Sequence, residues 1–198
     1  MTAPGGTTDD AVRSLRSGGV LLLATDTLPG LHCRADDAAA MARIAAIKGR
    51  PDGKTLLVLA GDLAQAQQLT GVLSAQQVAA CGQCWPGSFS LILPAGPQVD
   101  PAVTGGGKTV AIRIPAVPEL RALILAVGTP LVSTSANRAG QRPGDSLFAV
   151  DQAITRAVDG IWGVDPVGSG PVVPSALVDL TTDPFSVLRP GPLPFAAP

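Results

Sequence analysis

The chain has 198 residues, 46% apolar and 15% charged, with 15 acidic against 14 basic groups and a net charge of −1. That length fits one domain over 1–198, with its core expected at about 9–191. The charge balance excludes a global basic field for nucleic acid, and aromatics at 3% with no Tyr argue against a stacking platform for RNA bases.

The elements alternate in type. A helix is expected over 9–17, where Ala11, Val12 and Leu15 recur at helical spacing between Thr7/Thr8 as caps and Gly18-Gly19 as a stop. Residues 20–24 are all apolar, as in a strand covered on both faces. Residues 37–48 read as an amphipathic helix through Ala40, Met41, Ile44, Ala45 and Ile47, ended by Gly49 and Pro51. A second buried strand falls at 56–60, helices at 62–68 and 74–82, and strands at 89–93 and 110–114. A helix opened by Pro118 covers 117–126, a short strand 130–133, a helix 148–158, and closing strands 176–180 and 186–188. Strands alternating with helices predict an α/β fold, and the late hairpin-like strands make the sheet a mixed one. The aliphatic runs are far short of the ~20 residues of a membrane helix, and no basic segment precedes an apolar one near Met1. A cytoplasmic protein with no membrane partner is the expectation.

Two motifs carry less than their spelling suggests. Residues 102–109 (AVTGGGKT) are one substitution from a phosphate-binding P-loop, with Ala102 in place of the first Gly. A P-loop must follow a strand and open a helix; here Pro101 precedes and the strand 110–114 follows, so a Gly loop is expected, with Lys108 and Thr109 free to line a site. Cys81 and Cys84 have metal or redox spacing, but a structural zinc needs about four ligands and only His32 and Cys33 remain. They read as small buried residues at a helix end, and His32, the one histidine, as a structural residue at a strand end.

Three polar segments fall beside predicted strands, where open α/β sheets bind ligands: residues 25–31 (TDTLPGL), 48–54 (KGRPDGK) and 133–137 (STSAN). Two of the chain's three lysines flank Arg50 within seven residues. Such a loop neutralises a polyphosphate, while hydroxyls and an Asn amide bind phosphate oxygens or the water shell of Mg²⁺. The residues therefore predict a site for an anionic phosphate ligand, a nucleotide.

Thr25-Asp26-Thr27 with Gly30-Leu31, Lys48-x-Arg50-Pro51, Trp85-Pro86-Gly87, Arg113-Ile114-Pro115, Ser133 to Asn137, and Pro174-Ser175-Ala176 with Leu188 to Gly191 occur in that order. This ordered set resembles the YrdC/Sua5 family of L-threonylcarbamoyladenylate synthases, in its short form, over nearly the whole chain. The resemblance implies a twisted open mixed sheet with helices on both faces. It implies a nucleotidyltransferase that makes threonylcarbamoyl-AMP and pyrophosphate from L-threonine, bicarbonate or CO₂, and ATP with Mg²⁺. A partner complex then transfers the threonylcarbamoyl group to tRNA, as the t6A modification at position 37. By position in the family pattern, ATP falls to Lys48, Arg50, Lys54, Thr109, Ser135, Asn137 and Arg189, and threonine to Thr27, Arg113, Ser133 and Ser175. No catalytic nucleophile and no direct protein ligand for the metal are implied. Two positions depart from the pattern: Pro29, where an aromatic is usual, and Leu59, where longer relatives place a His. The alternatives are a duplex-RNA-binding or ribosome-maturation module, or a paralogue with another carbamoyl acceptor. The net charge leaves room for weak RNA binding only.

Overall fold

A computed structural model of the chain describes residues 6–49, 55–163 and 173–198. The elements run α1 (Thr8–Arg16), β1 (Leu21–Leu23), β2 (Gly30–Arg34), α2 (Ala38–Lys48), β3 (Leu57–Leu59), α3 (Leu63–Gln68), α4 (Ala75–Cys84) and β4 (Phe89–Pro94). They continue with α5 (Pro101–Thr104), β5 (Thr109–Arg113), α6 (Pro118–Val127), β6 (Leu131–Ser135), a 3₁₀ turn at Leu147–Ala149, α7 (Gln152–Thr155), β7 (Gly160–Trp162), β8 (Ala176–Asp179) and β9 (Ser186–Arg189). Local chemistry sets the helix ends. Thr7 and Asp10 form a capping box at α1, Ser74 and Gln77 another at α4, and Asp37 caps α2. Helix α2 stops at Gly49, whose φ of 59° is left-handed and free of cost only for glycine.

Among the described residues the strands form one mixed sheet in the order β7-β1-β2-β6-β3-β5-β4-β8-β9. Pairs β1/β7, β3/β5 and β4/β8 are parallel, and the other neighbours are antiparallel. Side chains alternate between the faces of a strand, so each strand is divided in two. Leu22, Cys33, Val58, Ile112 and Val132 point to one face and pack with Met41 and Ile44 of α2 and Ala80 and Cys84 of α4. Leu21, Leu23, Leu59 and Leu131 point to the other and meet Val12 and Leu15 of α1 and Leu120, Leu123 and Ile124 of α6. Helices thus cover both faces, as expected. On the second face the covering stops at Leu59 and Leu131, and the strands carry on into Leu57, Ser133 and Ser135 along an open groove.

Several expectations need correction. Strand β2 begins inside the polar segment 25–31 and is not among the expected strands; Gly30, His32 and Arg34 alternate with Leu31 and Cys33, which hides it from a search for apolar runs. The chain therefore opens with a β1/β2 hairpin. Strand β6 runs to Ser135, so the first three residues of 133–137 are in the sheet and not beyond it. The helix expected over 148–158 breaks into the 3₁₀ turn and α7, because Val150 is extended and Asp151 caps a fresh start. The P-loop look-alike runs helix α5, turn, strand β5, the reverse of the order phosphate binding requires.

Candidate active site

The groove has a volume of about 570 Å³ and lies on the face of the sheet beside the α1/α6 layer. Its floor is a register row, Ser133–Leu57–Ala111–Ile92, read across β6, β3, β5 and β4. Thr109 and Arg113 stand two residues to either side of Ala111 on β5, and Ser133 and Ser135 stand two residues apart on β6. Ser90 of β4, Leu177 of β8, Arg189 of β9 and Pro174-Ser175 close one side; Thr25 and Thr27 close the other. The floor is built from alternate residues on the face of the sheet, because a period of two brings Thr109, Ala111 and Arg113 to one side, while Thr25 and Thr27 after β1 and Pro174-Ser175 before β8 supply the walls from the strand ends.

Arg113 is 3% exposed. One terminal nitrogen donates to Thr27 Oγ1 at 2.7 Å, and the other is ion-paired with Asp26. Its Nε is buried and has no hydrogen-bond partner among the described residues. Burial works against the guanidinium's charge, Asp26 supports it and Arg189 opposes it. Two cations set against one carboxylate leave positive charge in a desolvated wall, which favours an anion in the groove. Thr27 is held in turn: its backbone N–H donates to Thr25 Oγ1, and the two hydroxyls are 3.1 Å apart. Ser90 and Ser175 share a hydrogen bond of 2.8 Å, and Arg189 Nε donates to the Ser175 carbonyl at 3.1 Å.

Of the residues expected to hold ATP, Thr109, Ser135 and Arg189 line the groove. Lys48 and Asn137 lie behind it. Lys48 is 5% exposed; its ammonium donates to the Ser135 and Asn137 carbonyls, which ties the end of α2 to the end of β6. The Asn137 amide donates to the Arg138 and Gln141 carbonyls while its Oδ1 accepts from Ser135 Oγ. Arg50 and Lys54 lie outside the described residues. All four residues expected for threonine, Thr27, Arg113, Ser133 and Ser175, line the groove. Sequence reasoning missed Asp26 as the partner of Arg113, and Ser90; the signal for Ser90 is one hydroxyl inside the apolar run 89–93. Pro29 is buried, and its carbonyl accepts from Ala136 N–H, while Leu59 sits fully buried under α1 and α6 and does not reach the groove. Among the described residues no group of three His, Cys, Asp or Glu could hold a metal ion, and Cys81 and Cys84 are buried free thiols pushed up to about 11 by desolvation.

The Sua5/YciO/YrdC family model, described as "Telomere recombination", matches residues 13–191. A threonylcarbamoyl-AMP synthase of Chromobacterium violaceum is 46% identical over 132 residues, 67% of this chain and 68% of that one. One from Stenotrophomonas maltophilia is 41% identical over 158 residues, 78% and 84% of the two chains. The crystal structure of P. abyssi Sua5 complexed with L-threonine superposes with a TM-score of 0.86 at 31% identity, covering 94% of this chain. This chain spans only 54% of that protein's length. Sequence, fold and the order of the motifs agree, and the chain belongs to the Sua5/YciO/YrdC family.

Proposed function

We propose that the chain is a threonylcarbamoyl-AMP synthase. The observation that carries this reading is the buried guanidinium of Arg113 beside a second arginine, Arg189, in a groove lined by hydroxyls. Such a wall binds a carboxylate and steadies polyanions, and the groove offers no activated nucleophile. Little covalent work is required of it. The amine of threonine attacks CO₂ and loses a proton, giving a carbamate. A carbamate oxygen then attacks the α-phosphorus of ATP, and the bond to the β-phosphate oxygen breaks, releasing pyrophosphate. Catalysis of this kind rests on alignment and on neutralising the charge of the leaving group.

In this reading Arg113 takes the threonine carboxylate, with Ser175 and Thr27 beside it, and Ser133 faces the amine. Arg189, Thr109 and Ser135 run along the nucleotide, with Arg50 and Lys54 as further cations. Lys48 and Asn137 act on ATP from behind, by holding the backbone at Ser135. Mg²⁺ would arrive on the triphosphate and neutralise its charge, and the Ser135 hydroxyl, a hard neutral oxygen on the groove wall, would suit its water shell. The product then passes, in the cytoplasm, to a complex that modifies tRNA.

Incubation with ATP, Mg²⁺, bicarbonate and each amino acid in turn, followed by pyrophosphate, tests the reading. Pyrophosphate release that needs both threonine and bicarbonate is expected. Release of phosphate in place of pyrophosphate would exclude attack at the α-phosphorus. Equal rates with serine would point to a different acceptor.

A further inference from the structure

The family pattern leaves His32 without a role, and it is the chain's one histidine. It lies on β2 beside Ser133 in the sheet register and is fully buried. Its Nδ1 is 2.9 Å from the carbonyl oxygen of Gly30, and its Nε2 is 3.0 Å from Ser133 Oγ. The ring folds back over Gly30: a Cβ there would meet His32 Cε1 at 2.7 Å and the Thr134 carbonyl at 3.0 Å.

These contacts decide where the protons sit. A carbonyl only accepts, so Nδ1 carries the ring proton. Burial pushes the imidazole down to about 3, and the nearby charge of Arg113 acts in the same direction, so the ring is neutral at physiological pH. Nε2 is then a bare lone pair, and the Ser133 hydroxyl must donate to it. We propose that His32 is a positioning residue whose Nε2 accepts the Ser133 O–H hydrogen bond and so leaves Ser133 Oγ facing the groove as an acceptor only. That wall then receives an N–H group, the amine of the amino-acid substrate, and repels a carboxylate. The amino acid is thereby oriented with its carboxylate toward Arg113. This inference rests on the synthase reading. The Ser133–His32 pair is not a nucleophile with its base: an imidazole held neutral by burial, backed by a carbonyl and not a carboxylate, is too weak to deprotonate a serine.

With one histidine, ¹⁵N-histidine labelling gives one imidazole. We expect a protonated Nδ1, an unprotonated Nε2, and no titration between pH 8 and pH 5. A ring protonated on Nε2, or one that titrates near pH 6, overturns the proposal, and this measurement needs no variant. The second measurement is calorimetric binding of threonine and of MgATP to the wild type, His32→Leu, Ser133→Ala and the double variant. His32→Leu should weaken threonine about tenfold and change MgATP by less than about twofold. In the Ser133→Ala background it should add almost nothing, because it acts through that hydroxyl. His32→Gln, whose carbonyl can take the hydroxyl proton, should recover part of the loss. Equal losses for both ligands, or additive losses in the double variant, overturn the proposal. If the wild type binds threonine and His32→Leu binds it as tightly, this proposal alone fails. If the wild type binds MgATP but no threonine, the synthase reading fails with it.

Discussion

Arg113 shares its groove with Leu57, Ala111 and Ile92, so its charge is held in a largely apolar floor. Removing one partner of a buried ion pair commonly costs about 3–5 kcal/mol, and Asp26, with a side chain 14% exposed, keeps some water and should cost less. Arg113→Met is therefore expected to lower both stability and threonine affinity, the latter by about 1.5–3 kcal/mol. Adding Asp26→Asn should restore much of the stability and none of the affinity; urea denaturation and calorimetry on the same samples separate the two. His32 adds a pH dependence. Its folded pKa of about 3 lies below the ordinary 6.5, so between those values the unfolded chain binds a proton that the folded chain does not. Stability is then fully present above about pH 6.5 and falls on acidification, by up to about 1.4 kcal/mol per pH unit. Urea midpoints at pH 6.5 and pH 5 should show this slope in the wild type and a shallower one in His32→Gln. Equal slopes would mean that the buried ring is already protonated. At this scale Arg113, Ser133 and Ser175, assigned to threonine from the family pattern, all line the groove. The sequence read His32 as a structural residue at a strand end, and its contact with the Ser133 hydroxyl, 101 positions away, is visible only in the fold.

The elements divide the second face of the sheet between stability and binding. Helices α1 and α6 cover Leu59 and Leu131, and two residues further along β3 and β6 the same face is open groove. Leu15 is fully buried in that cover. Leu15→Ala should cost about 2–5 kcal/mol of stability, the usual range for such a cavity. Its threonine and ATP affinities should stay within about twofold, since distant sites act nearly independently. A large loss of affinity at constant stability would show that the helical cover shapes the groove. Ser74→Ala, which removes the cap of α4 on the opposite face, should cost about 1 kcal/mol with the groove again unaffected. Helices with strong local signals were legible: Thr7 and Gly18 at the ends of α1, Gly49 at the end of α2, Pro118 at the start of α6. Strand β7 was missed, because its three residues owe their conformation to parallel pairing with β1, a partner some 140 positions earlier.

At the scale of the whole molecule, a net charge of −1 suits a local anion pocket better than a nucleic-acid track. Duplex RNA at physiological salt should bind more weakly than about 1 μM and leave ATP binding unchanged. Filter binding at two salt concentrations checks this; tight binding with a steep salt dependence would restore the RNA-module reading. A saturating substrate offers a complementary measurement. Threonine at about 100 times its dissociation constant should stabilise the fold by about 2.7 kcal/mol, visible as a rise of several degrees in Tm. An unchanged Tm would mean that the folded chain does not bind threonine. The sequence alone determined the α/β class, the main helices with their caps, and an ordered motif set specific enough to identify the family, because caps, periodicity and motifs are local properties of the chain. The tertiary structure alone decided which faces those residues share. It set Asp26 against Arg113, Lys48 behind Ser135 and His32 behind Ser133, and it put the site on the face of the sheet. Each of these pairings depends on strand order and register, which are set by contacts between segments far apart in the chain and leave no local trace in it.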